Sequence, residues 1–245
     1  MDEPIISQIK FLLLAVSFAL WASFYNTVRH NFPERSPMSC NHYVAVFFSV
    51  LSVIFLYLAP ELQMWSCDDG TILNGWWEIF STVALIIIWG YLAYSLVWTM
   101  YYGEEIVVYS YFMISLLLIN HYLFLKSCGR EVIIKGVCFF ELSKPSAQAK
   151  WHLRKLGEDK WLGHKLIGIF TYSFLVLIRI IFGSLYMSAI VFSNFYDIMD
   201  KLVAAYFYIF GIVAFHNIVP LCRELLDSEE VLVQLKPIES KLKKL

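Results

Sequence analysis

The chain has 245 residues, of which 59% are hydrophobic and only 16% are charged, with a formal net charge of -1. Soluble domains carry about a quarter charged residues, so this composition argues against a soluble protein and indicates one that lies in lipid. The Lys and Arg residues fall between apolar runs without a basic tract rich in aromatic residues, which excludes an ordinary nucleic-acid-binding protein.

Six apolar runs reach the length of about 20 residues that a helix needs to cross a bilayer. They are Ile9–Val28, Asn41–Leu58, Ile79–Met100, Ile106–Leu125, Leu166–Phe192 and Leu202–Leu221. Aromatic pairs at 76–77 and 101–102 frame the third run and suit the two membrane–water interfaces. The acidic head of the first run, and the lack of a small-residue cleavage site after it, favour a retained helix over a signal peptide.

A seventh segment, Arg130–Leu142, is too short to span alone, because its length as a helix is about 20 Å against a hydrocarbon core of ~30 Å. It also carries Lys135, which Glu131 can meet one helical turn away. The segment either spans as a short helix surrounded by protein or dips into the membrane and returns.

The basic residues are distributed unevenly between the two ends of these runs. If the seventh segment spans, 13 basic residues lie on the side of the 144–165 loop and the C-terminal tail, and 4 lie on the other side. The positive-inside rule places that loop and tail in the cytosol in either topology, and only the N-terminus changes sides. Because Arg29 and Arg35 outweigh Lys10 around the first run, seven spans with the N-terminus outside are favoured.

Several short stretches carry a family resemblance. They are RSPMSC (35–40), VFFSVLSV (46–53), GYLAYSLVW (90–98), ELSKPSAQAKWHL (141–153) and LIRIIFG (177–183). In this order the chain resembles the TLC domain family, the membrane domain of ceramide synthases, with the motif residues Glu141, Leu142, Ser143, Pro145, Trp151 and Leu153 matching and Lys150 replacing an arginine. The resemblance implies an all-α multi-pass bundle: an N-terminal transmembrane helix (1–34), a six-helix barrel around a lipid-accessible cavity (35–226) and a basic cytosolic tail (227–245).

The chain departs from this family at the positions that the resemblance marks as catalytic. Ser95 stands where active members carry an aspartate, Phe48 stands where they carry a histidine, and their paired histidines fall near Tyr109 and Ser110. Acyl transfer needs a base near neutral pKa to take the proton of the attacking group. The resemblance therefore implies a protein that binds lipid or regulates membrane lipid composition without catalysis.

Other side chains remain weak catalytic candidates. Glu104 and Glu105 follow Gly103, where acids also suit the start of a helix. His121 and His216 lie in the fourth and last runs, and either is a base for the alternative function, an acyl-CoA-dependent acyltransferase of the ceramide-synthase type. The alternative to a catalytic role is that each of these two histidines is a neutral imidazole that forms hydrogen bonds between helices.

Arg179 lies in the middle of a 27-residue apolar run, too central to reach the surface easily. An intramembrane charge normally faces the bundle interior with a partner. Glu141, at the end of the seventh segment, is the natural partner, and a buried ion pair between the two is predicted. Pro145 then stops the helix, and Trp151 with its basic neighbours lies at the cytosolic surface.

No metal site or cofactor is predicted, because the five cysteines form no zinc-spaced cluster and are interpreted as packing thiols, with a Cys67–Cys128 bridge left open.

The C-terminal KLKKL places Lys241 and Lys243 in a dilysine pattern for return to the endoplasmic reticulum by coat proteins. The predicted location is therefore that membrane, with the plasma membrane as the alternative. Membrane lipids are the predicted partners, acyl-CoA is a further candidate, and homodimerisation is left open. A seven-span receptor is disfavoured by the short, lysine-bearing seventh segment.

Overall fold

The computed structural model describes residues 3–58, 72–102, 106–126, 129–142, 148, 162–194 and 196–226. Within these ranges all regular structure is helical, as the composition and the apolar runs predicted. The elements are α1 Glu3–Asn31, α2 Pro37–Leu58, α3 Ile72–Tyr102, α4 Ile106–Phe124, α5 Arg130–Glu141, α6 Leu162–Leu175, a π-helical segment Val176–Phe182, α7 Gly183–Val191 and α8 Ile198–Leu226.

The helices have the length and surface of a membrane protein. Within the described ranges four stretches are long and apolar enough to cross a bilayer, namely Ile5–Asn31, Pro37–Leu58, Trp76–Tyr102 and Leu166–Val191, and Val108–Phe124 in α4 is a shorter apolar helix. Large apolar side chains are widely exposed, including Phe11, Leu12, Leu20, Tyr57, Leu117 and Leu185. Water would disfavour such a surface, whereas lipid is its natural solvent. Four of the seven predicted spans therefore lie in helices that are both long enough and apolar enough to cross a bilayer.

α5 lies inside the bundle, where it packs mainly against α2, α8 and α3, and nearly all of its residues are buried. α1 packs against α3 and α2 on the outside of the bundle. The approach of α1 to α3 is close at Gly90, where an added Cβ would lie 2.7 Å from the backbone carbonyl carbon of Ser17. Small residues at such crossings let helix backbones approach each other in membranes.

α5 is a short helix surrounded by protein. Its 12 residues rise about 18 Å. It begins beside Thr82, near the start of the third span, and it ends at Glu141, which contacts Ser49 and Tyr91 near the midpoints of α2 and α3. The C-terminal end of α5 therefore lies near the middle of the bundle.

Charged groups gather where α4 ends and α5 and α8 begin. Lys126 pairs with Asp200 at 2.6 Å and with Asp197 at 2.9 Å, and the Tyr122 hydroxyl donates to the Asp200 carboxylate. Gly129 adopts a φ of 78°, and an added Cβ would lie 2.4 Å from Asp200 Oδ1. The left-handed conformation and the close carboxylate both require glycine at this turn.

Asp197 is the N-terminal cap of α8, because its carboxylate accepts a hydrogen bond from the Asp200 backbone amide at 2.9 Å. That hydrogen bond is the main cause that holds the pKa of Asp197 below its usual value, and the hydrogen bond from Lys126 is the second cause. The stability from this depressed pKa is present above the unfolded pKa of about 3.9 and is lost as pH falls through the folded value. We expect Asp197→Ala to lower the stability by about 1 kcal/mol at pH 7, and the difference from wild type to shrink below about pH 4.

Thermal unfolding in detergent between pH 7 and pH 3 measures this difference. Asp197→Asn is the matched control, since an amide oxygen also caps a helix, and it should lose less than Asp197→Ala at pH 7. A loss for Asp197→Ala that stays constant over this pH range would contradict the role of the ionised cap.

Candidate functional site

A polar site lies at the C-terminal end of α5, in the middle of the bundle. We define it as Tyr91, Tyr111, Glu141 and Arg179 and call it the mid-bundle site. Glu141 is completely buried, and its Oε2 accepts a hydrogen bond from the Tyr91 hydroxyl at 3.1 Å. The Glu141 backbone carbonyl accepts a second bond from the Ser49 hydroxyl at 3.0 Å. The Ser49 Oγ also lies 2.9 Å from the Ala45 carbonyl oxygen, so its single proton is shared between the two carbonyls.

Arg179 belongs to the π-helical segment, and it is 7% exposed. Its guanidinium donates to the carbonyls of Gly211 in α8 at 3.3 Å and Phe140 in α5 at 3.4 Å, and it lies 4.7 Å from the centroid of the Phe140 ring. A cation at the C-terminal end of α5 also suits the negative end of the helix dipole. Short π-helical turns within α-helices are common at functional sites.

The structure brings Arg179 to the helix end that carries Glu141, as the sequence interpretation requires. The two charged groups interact electrostatically, and the carbonyl that Arg179 binds at Phe140 is that of the preceding residue. The direct ion pair between the two side chains remains a prediction, and its energetic test is given in the Discussion.

Tyr111 brings a second phenol to the site from α4. It is 2% exposed, and its ring stacks on that of Phe140 with a centroid separation of 4.2 Å. Its hydroxyl has no hydrogen-bond partner among the described residues. A buried hydroxyl in this state marks a position for a water molecule or a polar ligand atom.

A small cavity of about 30 Å³ lies beside Arg179, between α5, the π-helical segment, α7 and α8. Phe140, Tyr186, Phe207 and Tyr208 contribute to its walls. This volume suits about one water molecule rather than an acyl chain. A larger groove, of about 290 Å³, lies between α1, α2 and α3.

Two of the positions that the resemblance marks lie around Tyr91. Phe48 is completely buried, and its ring stacks on that of Tyr91 with centroids 3.8 Å apart. Ser95 is buried one helical turn from Tyr91. In contrast, Tyr109 is 37% exposed on α4, and the buried side chain of that stretch is Tyr111. An inert ring and a hydroxyl therefore surround the Tyr91–Glu141 hydrogen bond.

His121, a candidate base from the sequence, lies far from this site. It occupies the last turn of α4, ten residues beyond Tyr111, which is about 15 Å along the helix axis. Its ring is partly exposed and meets the Tyr122 ring edge-on with centroids 5.6 Å apart. The mid-bundle site and His121 are thus not brought together. His216 belongs to α8, but its side chain lies outside the described part of the chain.

Other sequence predictions also fall outside the described residues. They are the acids Glu104 and Glu105, the motif residues Ser143, Pro145, Lys150 and Trp151, the tail residues Lys241 and Lys243, and the Cys67–Cys128 pair. Cys40 and Cys138 are buried free thiols, as the interpretation of packing cysteines predicted. Within the described ranges no group of three or more His, Cys, Asp or Glu side chains is arranged to hold a metal ion.

The sequence interpretation did not identify Tyr91 and Tyr111 as site residues. Tyrosine is abundant in this chain, with 15 copies, and many of them suit interfaces or packing. Tyr91 is the second residue of the GYLAYSLVW stretch, so the resemblance offered an indirect signal for it. Nothing in the local sequence distinguished Tyr111 from Tyr109.

Searches of family models, curated proteins and solved structures gave no match to this chain.

Proposed function

We propose that this chain is a multi-pass protein of the endoplasmic reticulum membrane that binds lipid and regulates membrane lipid composition without acyl transfer. In this proposal α2 to α8 form a degenerate TLC-type barrel, and α1 is the additional N-terminal helix. The packing of α1 against the outside of α2 and α3 supports that division.

The observation that carries the proposal is the chemistry of the mid-bundle site. Its described side chains are two phenols, a carboxylate and a guanidinium, and Phe48 and Ser95 surround Tyr91. An acyltransferase needs a base that is free to take a proton from the attacking amine or hydroxyl. Here the Glu141 carboxylate already accepts the Tyr91 hydrogen bond and interacts with Arg179. Such a carboxylate is better suited to holding the helices together than to accepting a proton from a substrate.

The competing function is acyl transfer from acyl-CoA with relocated catalytic groups. The distance along α4 between His121 and Tyr111 argues against His121 as its base at this site. The small volume beside Arg179 also argues against a substrate chain there. Glu141 is then the described side chain best placed to test the competing function.

The experiment incubates the purified protein in detergent with acyl-CoA and a long-chain base, and it measures the acylated product by mass spectrometry. We expect no product above that of the empty detergent. Turnover that disappears in His121→Ala or Glu141→Gln, but persists in the exposed control Glu78→Gln, would overturn the proposal.

Cells that lack or overproduce the protein provide the second readout. We expect a shift in the amount of at least one membrane lipid class between the two, and the same shift with His121→Ala. Unchanged lipid classes in both cell types would contradict a role in lipid composition.

A further inference from the structure

The groove between α1, α2 and α3 is lined almost entirely by apolar side chains. Its volume is about 290 Å³, and its walls are Ser17, Leu20, Trp21, Phe24, Phe47 and Ile87. Leu20 and Phe47 are 65% and 47% exposed, so the groove opens to the bilayer. A groove open to the hydrocarbon core does not remain empty, and an apolar chain is its natural occupant.

The inner wall of the groove is formed by packed aromatic rings. The Trp21 ring contacts the rings of Tyr91 and Phe48 edge-on, with centroids 5.3 Å and 5.7 Å away, and its indole N–H donates to the Ile87 carbonyl at 3.1 Å. This preformed aromatic surface needs little reorganisation to hold a chain. The same contacts place the groove one aromatic layer away from the mid-bundle site, so the two are separate sites.

The helix end beyond Phe24 carries positive charge at the level of a membrane interface. Arg29 lies in the last turn of α1, and its Nη1 donates to the Arg35 carbonyl in the loop before α2. Tyr25, one helical turn before Arg29, packs against the Tyr94 ring with centroids 5.9 Å apart, and the rings of Trp98 and Tyr102 stack at the end of α3. Such tryptophan and tyrosine clusters mark the headgroup region. The guanidinium of Arg29 retains further N–H donors beyond the bond to Arg35.

The spacing of these features matches one leaflet. Arg29 and Ser17 are 12 residues apart on α1, which is about 18 Å along the axis. Half of a hydrocarbon core of about 30 Å is about 15 Å. The charge distribution of the chain also predicts that this end faces the cytosol, where anionic lipids are concentrated.

From these observations we infer that the groove binds an anionic phospholipid, with an acyl chain along Ser17 to Phe24 and its phosphate headgroup at Arg29 and Arg35. The inference rests on the proposed lipid-binding function and names its lipid class and its place. The arginines supply charge to the headgroup, and the aromatic wall supplies the surface for the chain.

The test reconstitutes the full chain in nanodiscs of equimolar phosphatidylserine and phosphatidylcholine, extracts it with detergent and measures both retained lipids by mass spectrometry. We expect phosphatidylserine to be enriched by about five-fold for each arginine that contacts it. Arg29→Gln with Arg35→Gln should bring the ratio close to one. Lys201→Gln, a basic residue at the opposite end of the bundle, is the control and should retain the wild-type ratio.

A second pair of variants tests the groove itself. Leu20→Trp places a larger ring in the groove and should reduce the retention of both lipids by several-fold. Leu12→Trp is the matched control, because Leu12 is equally exposed on α1 at 65% but does not line the groove. Equal losses in the two variants would overturn the assignment of the chain to this groove.

The outcomes separate the inference from the proposed function. Equal retention of the two phospholipids by the wild-type protein, or an enrichment that survives the loss of both arginines, overturns the inference and leaves lipid binding standing. Retention of neither lipid overturns both.

Discussion

Replacement of either charged residue of the mid-bundle site should cause one of the two largest losses of stability. We expect Glu141→Gln and Arg179→Gln each to lower the free energy of unfolding in detergent by about 3 kcal/mol. Glu141 is completely buried and Arg179 is 7% exposed, so each variant leaves the opposite charge in a low-dielectric interior. The Arg179 variant also removes the donor to the Phe140 and Gly211 carbonyls.

The double variant decides whether the two charges act as a pair. Because it leaves neither charge in the interior, its loss should be close to that of one single variant and well below the sum of the two. Glu34→Gln, at an exposed position in the turn before α2, is the control and should change stability by less than about 0.5 kcal/mol. Strictly additive losses would show that Glu141 and Arg179 contribute independently.

The second large effect is expected at Gly90, where α1 crosses α3. An added Cβ would lie 2.1 Å from Ser17 Oγ and 2.7 Å from the Ser17 carbonyl carbon. The hydroxyl can rotate away, but the backbone atom cannot, so the two helices must separate. We expect Gly90→Ala to lower the free energy of unfolding by about 2 kcal/mol, through overpacking at this crossing. The intrinsic tryptophan fluorescence should also change, because Trp21 binds the Ile87 carbonyl across the same interface and is one of eight tryptophans that contribute to it.

Two variants support this assignment. Gly211→Ala is the same substitution in α8, where an added Cβ would meet nothing within 4 Å, and it should be neutral or stabilising because alanine is the better helix former. Ser17→Gly in the Gly90→Ala background should restore little stability, since the obstructing atom belongs to the backbone. Full recovery in that double variant would assign the effect to the Ser17 hydroxyl instead.

Some residues of the mid-bundle site could be recognised from the sequence, and others could not. The stretch GYLAYSLVW contains Gly90, Tyr91 and Ser95. Gly90 lies at a helix crossing, Tyr91 donates a hydrogen bond to Glu141, and Ser95 is buried one helical turn from Tyr91. Arg179 was identifiable because a charge in the middle of a long apolar run is costly and needs a partner. Tyr111 was not, because burial of one tyrosine among many depends on which face of α4 packs inward.

The sequence by itself determined that this is an all-helical membrane protein, because runs of apolar residues must satisfy their backbone groups internally in lipid. It also indicated the charged residues that need partners inside the bundle. Only the tertiary structure decided that α5 ends near the middle of the bundle, that Arg179 lies in a π-helical turn beside that end, and that a groove forms between α1, α2 and α3. These features depend on which side chains of distant segments pack together, and local hydrophobicity carries no information about that choice.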